Sequence, residues 1–150
     1  MNARTRSLLL VVAGLAAAAA LPLAAKAMRG APGERCALNG VLLDPHYAVR
    51  VADSGGGASR RFCCVGCAAA WLAREPRTSR TVSVVDEESG REIDARTAWF
   101  VRSRVVAVAA TESRIHTFAT EAAARRHAED FSGTVLSGDD LPLRTATQER

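Results

Sequence analysis

The chain has 150 residues, and its 20 Lys and Arg side chains against 16 Asp and Glu give a formal net charge of +4. Three of the basic side chains fall within the first 27 residues, so 17 basic and 16 acidic groups remain beyond them. A nearly neutral chain lacks the clustered basic face that displaces counterions from phosphate, which argues against a nucleic-acid-binding protein. One domain is expected at this length, and with 5% aromatic residues its core must be built mainly from aliphatic side chains.

Residues 1–27 have the three-part layout of a secretory signal. A basic start precedes an apolar stretch over residues 8–23 and a small-residue A-K-A sequence that ends at Ala27. This order predicts export to the periplasm, with cleavage after Ala27. The alternative is an inner-membrane anchor, because residues 8–25 are almost long enough to span a bilayer. If the segment is not cleaved, we expect the protein to meet the membrane only through it.

The rest of the chain divides into three parts. Residues 28–35 contain Pro and Gly without periodicity and are predicted to be a linker, residues 36–141 to be the folded domain and residues 142–150 to be a flexible tail. Alternation of polar and apolar residues predicts strands, which are residues 46–52, 58–62, 80–86, 98–101, 105–109, 115–118 and 134–136. Helical composition, with a proline ending the first helix, predicts helices at residues 65–74 and 121–130.

The order of these elements repeats along the domain. Phe62 ends a strand that leads into the first helix, as Phe118 ends the strand that leads into the second, and a short strand follows each helix. Thr120 is the predicted N-cap of the second helix, since its hydroxyl can accept a hydrogen bond from the first turn. The sequence therefore predicts an α+β fold in which two strand-strand-helix units form a small antiparallel-sheet domain.

All four cysteines lie in the first half of the chain, at Cys36, Cys63, Cys64 and Cys67. Cys67 follows Cys63 by four residues and Cys64 by three, so either pair converges at the start of the first helix. A helix N-terminus stabilises a thiolate, which is both a metal ligand and a nucleophile. Cys36 completes a thiolate cluster if the first two strands pair.

Three chemistries fit these cysteines. Soft thiolates favour Cu(I), Zn or an iron–sulfur cluster; Cu(I) is satisfied by two or three soft ligands, whereas structural Zn takes four. An iron–sulfur cluster is disfavoured because it usually assembles in the cytoplasm. An even number of cysteines in an exported protein also fits disulfides, and Cys64 to Cys67 forms the C-x-x-C of redox proteins, although no thioredoxin-like βαβ unit surrounds it.

Three histidines and a group of acidic residues are the other candidate side chains. His116 lies on a predicted strand that would face the first unit, which makes it a candidate extra ligand. His46 and His127 are predicted to be solvated, with His46 a secondary candidate as a helper ligand. The acidic residues around the turn at residues 88–90 are predicted to form a solvated face: Glu87, Glu88 and Glu92. No Ser, His and acid spacing typical of a hydrolase stands out.

Four segments of the domain stand in a distinctive order. They are residues 36–41 (CALNGV), 62–67 (FCCVGC), 93–101 (IDARTAWFV) and 116–124 (HTFATEAAA) with 133–136 (GTVL). Together they resemble the NosL family, the copper-binding accessory proteins of nitrous oxide reductase maturation, over about residues 36–141. Where the family's first motif reads C-x-x-C-G-M, this chain has Asn39 in place of the second Cys and Val41 in place of Met.

The resemblance implies an extracytoplasmic Cu(I) metallochaperone that delivers copper to a cuproenzyme and catalyses no reaction itself, with nitrous oxide reductase as the candidate client. The implied partners are a copper-receiving enzyme or a copper transporter. The implied metal is Cu(I), with Zn as the second candidate, and the candidate ligands are Cys36, Cys63, Cys64, Cys67 and His116. Two other functions stay open: an exported structural or interaction domain with disulfides or a Zn site, and a thiol redox protein.

Overall fold

The computed structural model describes residues 33–54, 59–75 and 79–143. The predicted signal segment, most of the predicted linker and most of the predicted tail lie outside these residues. None of the helices in the described ranges combines the length and the apolarity needed to cross a bilayer.

The first sheet has four antiparallel strands in the order β2-β1-β3-β4. Its strands are β1 (Val49–Asp53), β2 (Arg60–Phe62), β3 (Arg80–Val85) and β4 (Glu92–Asp94), and helix α1 (Val65–Leu72) joins β2 to β3. Val49 pairs with Phe62 on β2, and Val51 pairs with Val82 on β3. These four side chains are buried, whereas the intervening Arg50 forms an ion pair with Glu92. The alternation that predicted the strand therefore reflects one face turned to the core.

The second sheet has three antiparallel strands in the order β6-β5-β7. They are β5 (Trp99–Arg102), β6 (Ile115–Phe118) and β7 (Thr134–Val135), and helix α2 (Glu121–Asp130) joins β6 to β7. In both sheets the first strand of the unit lies between the second strand and the strand that follows the helix. The predicted α+β fold of two strand-strand-helix units is confirmed.

The predicted strand at residues 105–109 is wrong. Val105 and Val106 are exposed, Val108 forms only an isolated bridge with Ser113, and a 3-10 helix follows at Ala109–Thr111. The run of β-branched residues suits a strand, but it lies in the connection between β5 and β6, and β5 is already paired on both edges. The remaining predicted elements begin and end within three residues of the observed ones, and β4 is an additional short strand.

The main hydrophobic core lies between the first sheet and α1 and extends to the second sheet. It contains all four cysteines, together with Phe62, Phe100 and Leu136. Leu143, at the start of the predicted tail, is 2% exposed and belongs to this core. A smaller cluster packs α2 against its own sheet through Val101, Phe118, Ala123 and Ala124. The four thiols are therefore packed among the apolar side chains of the core.

Two consecutive carboxylates hold the sheets together. Asp86 Oδ1 accepts from Ala119 N–H at 3.0 Å, and Glu87 Oε1 accepts from Thr117 N–H at 3.1 Å. Glu87 N–H donates in return to the Thr117 carbonyl at 3.0 Å. Both carboxylates follow β3 directly, so the end of the first sheet is fixed to β6 of the second.

Helix α2 begins at the predicted cap. The Thr120 side chain accepts from Ala123 N–H at 3.2 Å, with extended backbone at Thr120. We expect Thr120→Ala to lower the free energy of unfolding by about 1 kcal/mol, because one N–H of the first turn loses its acceptor. Urea unfolding followed by circular dichroism measures this, and Thr120→Ser, which keeps the hydroxyl, should retain most of the stability. Equal losses in the two variants would contradict a capping role.

Candidate metal centre

A tight N-terminal turn places Cys36 against β2. Ala37 N–H donates to the Arg61 carbonyl at 2.9 Å, and Cys36 N–H and Gly40 N–H close the turn through the Val41 and Cys36 carbonyls at 2.8 and 2.9 Å. Gly40 has a φ of +73°, in the left-handed region that favours glycine. Because this turn is anchored one residue before the end of β2, Cys36 is fixed beside the start of the next cysteine segment.

Three sulfur atoms converge where β2 meets α1. Cys63 directly follows β2 and Cys67 lies in the first turn of α1, with their Sγ atoms 3.5 Å apart. The Sγ atoms of Cys36, Cys63 and Cys67 all lie within 4.8 Å of one another, and all three residues are buried. With metal–sulfur bonds of about 2.3 Å, three sulfurs in a plane around one ion lie about 4 Å apart. The cluster therefore has the size of a three-sulfur metal site.

Cys64 lies beside this group rather than within it. Its Sγ is 4.0 Å from Cys63 Sγ and 3.5 Å from Thr111 Oγ1, which belongs to the 3-10 helix before β6. All four cysteines are buried free thiols. The structure thus separates the predicted cysteine set into three converging thiols and one neighbour held by a hydroxyl.

Hydrogen bonding favours the thiolate form of two of the cysteines. Burial acts to raise the pKa of Cys36, but backbone N–H groups, those of Cys63 and Asn39 foremost, leave that pKa below its ordinary value of 9.0. Burial likewise acts to raise the pKa of Cys64, and hydrogen bonds led by the Thr111 hydroxyl lower it instead. These two thiols lose their protons most readily.

The other two thiols hold their protons. Burial raises the pKa of Cys63 to about 11, and the negative charge of neighbouring thiolates adds to the rise. Burial, followed by hydrogen bonding to Cys63, raises the pKa of Cys67. A cation that binds all three converging sulfurs must therefore displace protons, and its apparent affinity rises with pH.

His116 is not brought to the cysteine cluster. Its Nδ1 is 2.8 Å from Glu87 Oε2 and its Nε2 is 3.2 Å from the Val105 carbonyl, and its ring lies 4.2 Å from the ring of His127. Both ring nitrogens of His116 are hydrogen bonded and the residue is 1% exposed, so its side chain belongs to the buried contact between the two sheets. His46 lies on an exposed turn against Tyr47. Glu87, predicted to be solvated, is largely buried as the partner of His116.

Sequence reasoning missed two side chains that touch the thiols. Asn39 Nδ2 lies 3.5 Å from Cys67 Sγ, and Thr111 Oγ1 contacts Cys64 Sγ. Asn39 is three residues after Cys36, so the C-x-x-N spacing is a signal that points to it. Thr111 lies 47 residues after Cys64, just beyond the segment with strand-like composition, and no local pattern connects the two.

A groove of about 450 Å³ opens beside the cluster. Its walls include Leu38, Cys64, Cys67, Thr111 and Arg114. Most of its lining is apolar, and two of the four cysteines line it. The groove therefore offers an approach to Cys67, a member of the three-sulfur cluster, and to its neighbour Cys64.

Fold and site together define a small two-sheet α+β protein with a buried group of three thiols at metal-site spacing. The NosL family model matches residues 31–146, and the chain belongs to the NosL family. Its fold is similar to that of the copper chaperone NosL from Shewanella denitrificans, with a TM-score of 0.61 and 20% sequence identity over 71% of this chain and 88% of that chain. None of the curated proteins matches the chain significantly. The family predicted from the four segments is confirmed.

Proposed function

We propose that this protein is an exported metallochaperone that binds Cu(I) as cargo on Cys36, Cys63 and Cys67 and passes it to a copper-receiving enzyme. The observation that carries this proposal is the convergence of three buried sulfur atoms within 4.8 Å. Three soft thiolates satisfy Cu(I). Among the described residues, no His side chain, the ligand that many structural Zn sites add to their cysteines, belongs to that group. Membership of the NosL family and the copper chaperone with a similar fold support the choice of metal.

The surroundings of the cluster suit a bound cation held by anionic ligands. Backbone N–H groups point at Cys36, and Cys67 lies in the first turn of α1, where the helix dipole is positive. These groups offset the surplus negative charge of three thiolates around a single positive ion. Burial of all three sulfurs limits their contact with water and oxidants.

Release of the metal would proceed by ligand exchange. A soft ligand of the partner enters the groove and binds Cu(I) from the side of Cys64 and Cys67, and the bonds to the chaperone's sulfurs break one at a time. Copper stays Cu(I) throughout, so no oxidant or reductant is needed, and protons from a partner's thiols pass to the cysteines that are released. The protein catalyses no reaction in this scheme. Nitrous oxide reductase is the candidate client, and a copper transporter the candidate source.

The exported location rests on the signal-like segment at residues 1–27. Outside the cytoplasm the protein would bind metal after export, because the segment has the layout of a signal for unfolded chains. The same segment, if it is not cleaved, would keep the chaperone at the inner membrane.

The test is a Cu(I) titration of the purified, reduced protein against a colorimetric Cu(I) chelator. We expect one Cu(I) per chain and an X-ray absorption spectrum with sulfur neighbours at about 2.3 Å, the length typical of a metal–thiolate bond. Absence of competition with the chelator would overturn the proposal. Disulfide bridges in the exported protein, detected by mass spectrometry without reduction, together with failure to bind after reduction would favour a structural role instead.

A further inference from the structure

Asn39 closes the cluster on its solvent side. Its Nδ2 lies 3.5 Å from Cys67 Sγ and 3.9 Å from Cys63 Sγ. Asn39 is an exposed residue, whereas the two sulfurs that it contacts are buried. The amide thus lies where a fourth ligand would reach a metal ion bound to the three thiols.

The turn fixes which end of the amide faces the sulfurs. Asn39 Oδ1 accepts from Val41 N–H at 3.2 Å, so the oxygen is held by the backbone of its own turn. The Nδ2 group is left to point at Cys67. Cys63 Sγ is 3.9 Å from both amide atoms, which makes that contact the weaker one. An amide NH₂ donates hydrogen bonds and has no free lone pair, so it stabilises a thiolate without ligating a metal.

We propose that Asn39 is the residue that makes this cluster selective for Cu(I) over Zn(II). It occupies the place of a fourth ligand with a hydrogen-bond donor and so leaves a three-sulfur site. Zn(II) prefers four protein ligands in structural sites, whereas Cu(I) is satisfied by three soft ones. The inference rests on the proposed function, because it concerns the same three thiols.

The fourth cysteine does not replace the missing ligand. Cys64 lies outside the converging group and contacts the Thr111 hydroxyl at 3.5 Å. A thiolate at position 39 would instead lie on the open side of the cluster, on the same turn as Cys36. Selectivity is therefore expected to depend on position 39 and not on the number of cysteines nearby.

The experiment compares Asn39→Cys with the unaltered full chain, both reduced, in separate titrations with Cu(I), Zn(II) and Co(II). Asn39→Cys is expected to raise Zn(II) affinity by about a hundredfold or more, because a new ligand should matter at least as much as a hydrogen-bond partner behind a ligand. The change in Cu(I) affinity should be less than about tenfold. Co(II) bound to the variant should show the intense visible bands of a tetrahedral four-sulfur site. Ala37→Cys adds a thiol to an exposed neighbouring position of the same turn and should leave the Zn(II) affinity unchanged.

Asn39→Asp gives a second measurement that adds no sulfur. Its carboxylate has nearly the same shape but offers an oxygen ligand and no N–H, so the ratio of Cu(I) to Zn(II) affinity should fall here too. An unchanged ratio of Cu(I) to Zn(II) affinity in both variants would overturn the role of Asn39 while leaving Cu(I) binding intact. Equal affinities for Zn(II) and Cu(I) in the unaltered protein would do the same. Failure of the unaltered protein to bind Cu(I) would instead overturn the proposed function and this inference with it.

Discussion

Replacement of Cys67 by Ser is expected to lower the affinity for Cu(I) by at least about a hundredfold. The loss of a hydrogen-bond partner behind a metal ligand already costs about 10- to 100-fold in affinity, and the loss of a ligand itself should exceed that. Cys67 Sγ is the atom that both Cys63 Sγ and Asn39 Nδ2 approach at 3.5 Å. A serine hydroxyl is a hard donor that does not ionise at neutral pH, so it cannot take the place of the thiolate.

Cys64→Ser provides the matched control. Cys64 is buried like Cys67 and lies three residues away, but it is outside the converging group. We expect its loss to change Cu(I) affinity by less than about tenfold, the lower end of the effect of an outer partner. Chelator competition measures both affinities, and circular dichroism verifies that both variants fold. Equal losses in Cys64→Ser and Cys67→Ser, or none in Cys67→Ser, would contradict the assigned ligands.

The same titration has a pH dependence with a definite sign. The pKa of Cys63 is raised to about 11 and that of Cys67 is raised as well, so both thiols are protonated at neutral pH before metal binds. Binding releases these protons, and the apparent affinity for Cu(I) should increase from pH 6 to pH 8. In Cys67→Ser one fewer proton is released, so the slope of affinity against pH should be shallower.

Local patterns in the sequence account for most of the architecture. Alternating valines predicted β1 because Val49 and Val51 do face the core, and the threonine before α2 predicted its first residue because the cap is a local interaction. The spacing of Cys63 and Cys67 predicted their convergence at the start of α1, and the structure brings the two sulfurs together there although Cys63 precedes the helix and only Cys67 lies in its first turn. Each of these features depends on residues only a few positions apart.

The predictions that differ from the structure concern residues whose partners are distant in the sequence. Glu87 looked like a surface residue of a turn, and only its contact with His116, 29 residues further on, shows that it is buried. His116 resembled a ligand for the same reason, because its partner could not be read from its neighbours in the sequence. The segment at residues 105–109 has the composition of a strand, but pairing of β5 on both edges leaves no place for it beside that strand. Burial and pairing are properties of the assembled sheets, and no short window contains them.

Glu87→Gln is expected to lower the free energy of unfolding by about 3 kcal/mol at pH 6, because removal of one member of a buried ion pair leaves the other uncompensated. His116 and Glu87 side chains are 2% and 10% exposed, so solvent screens their interaction little. Burial acts to lower the pKa of His116, but the hydrogen bond and charge of Glu87 raise it above 6.5. His127, stacked on His116, has its pKa lowered by burial and by the His116 charge, so the proton resides on His116.

The direction of the pH effect follows from that raised pKa. A histidine whose folded-state pKa exceeds its unfolded value stabilises the fold fully below pH 6.5 and loses this contribution as the pH rises through the folded-state pKa. The difference in unfolding free energy between Glu87→Gln and the unaltered protein should therefore shrink to about 2 kcal/mol at pH 9, the value of a hydrogen bond from a neutral donor to a charged carboxylate. Urea unfolding at both pH values measures it. Glu88→Gln is the control, because Glu88 pairs with Arg126 at the exposed surface and should cost less than about 1 kcal/mol.

Cu(I) affinity separates this structural role of His116 from that of a ligand. Both ring nitrogens of His116 are hydrogen bonded in the contact between the two sheets. Glu87→Gln should therefore change the Cu(I) affinity of the three thiols by no more than about twofold, well short of the roughly tenfold loss expected when a hydrogen-bond partner behind a metal ligand is removed. A stability loss that does not change with pH would contradict the ion pair. A tenfold loss of Cu(I) affinity in a folded Glu87→Gln protein would mean that His116 reaches the metal, and the ligand set would then have to include it.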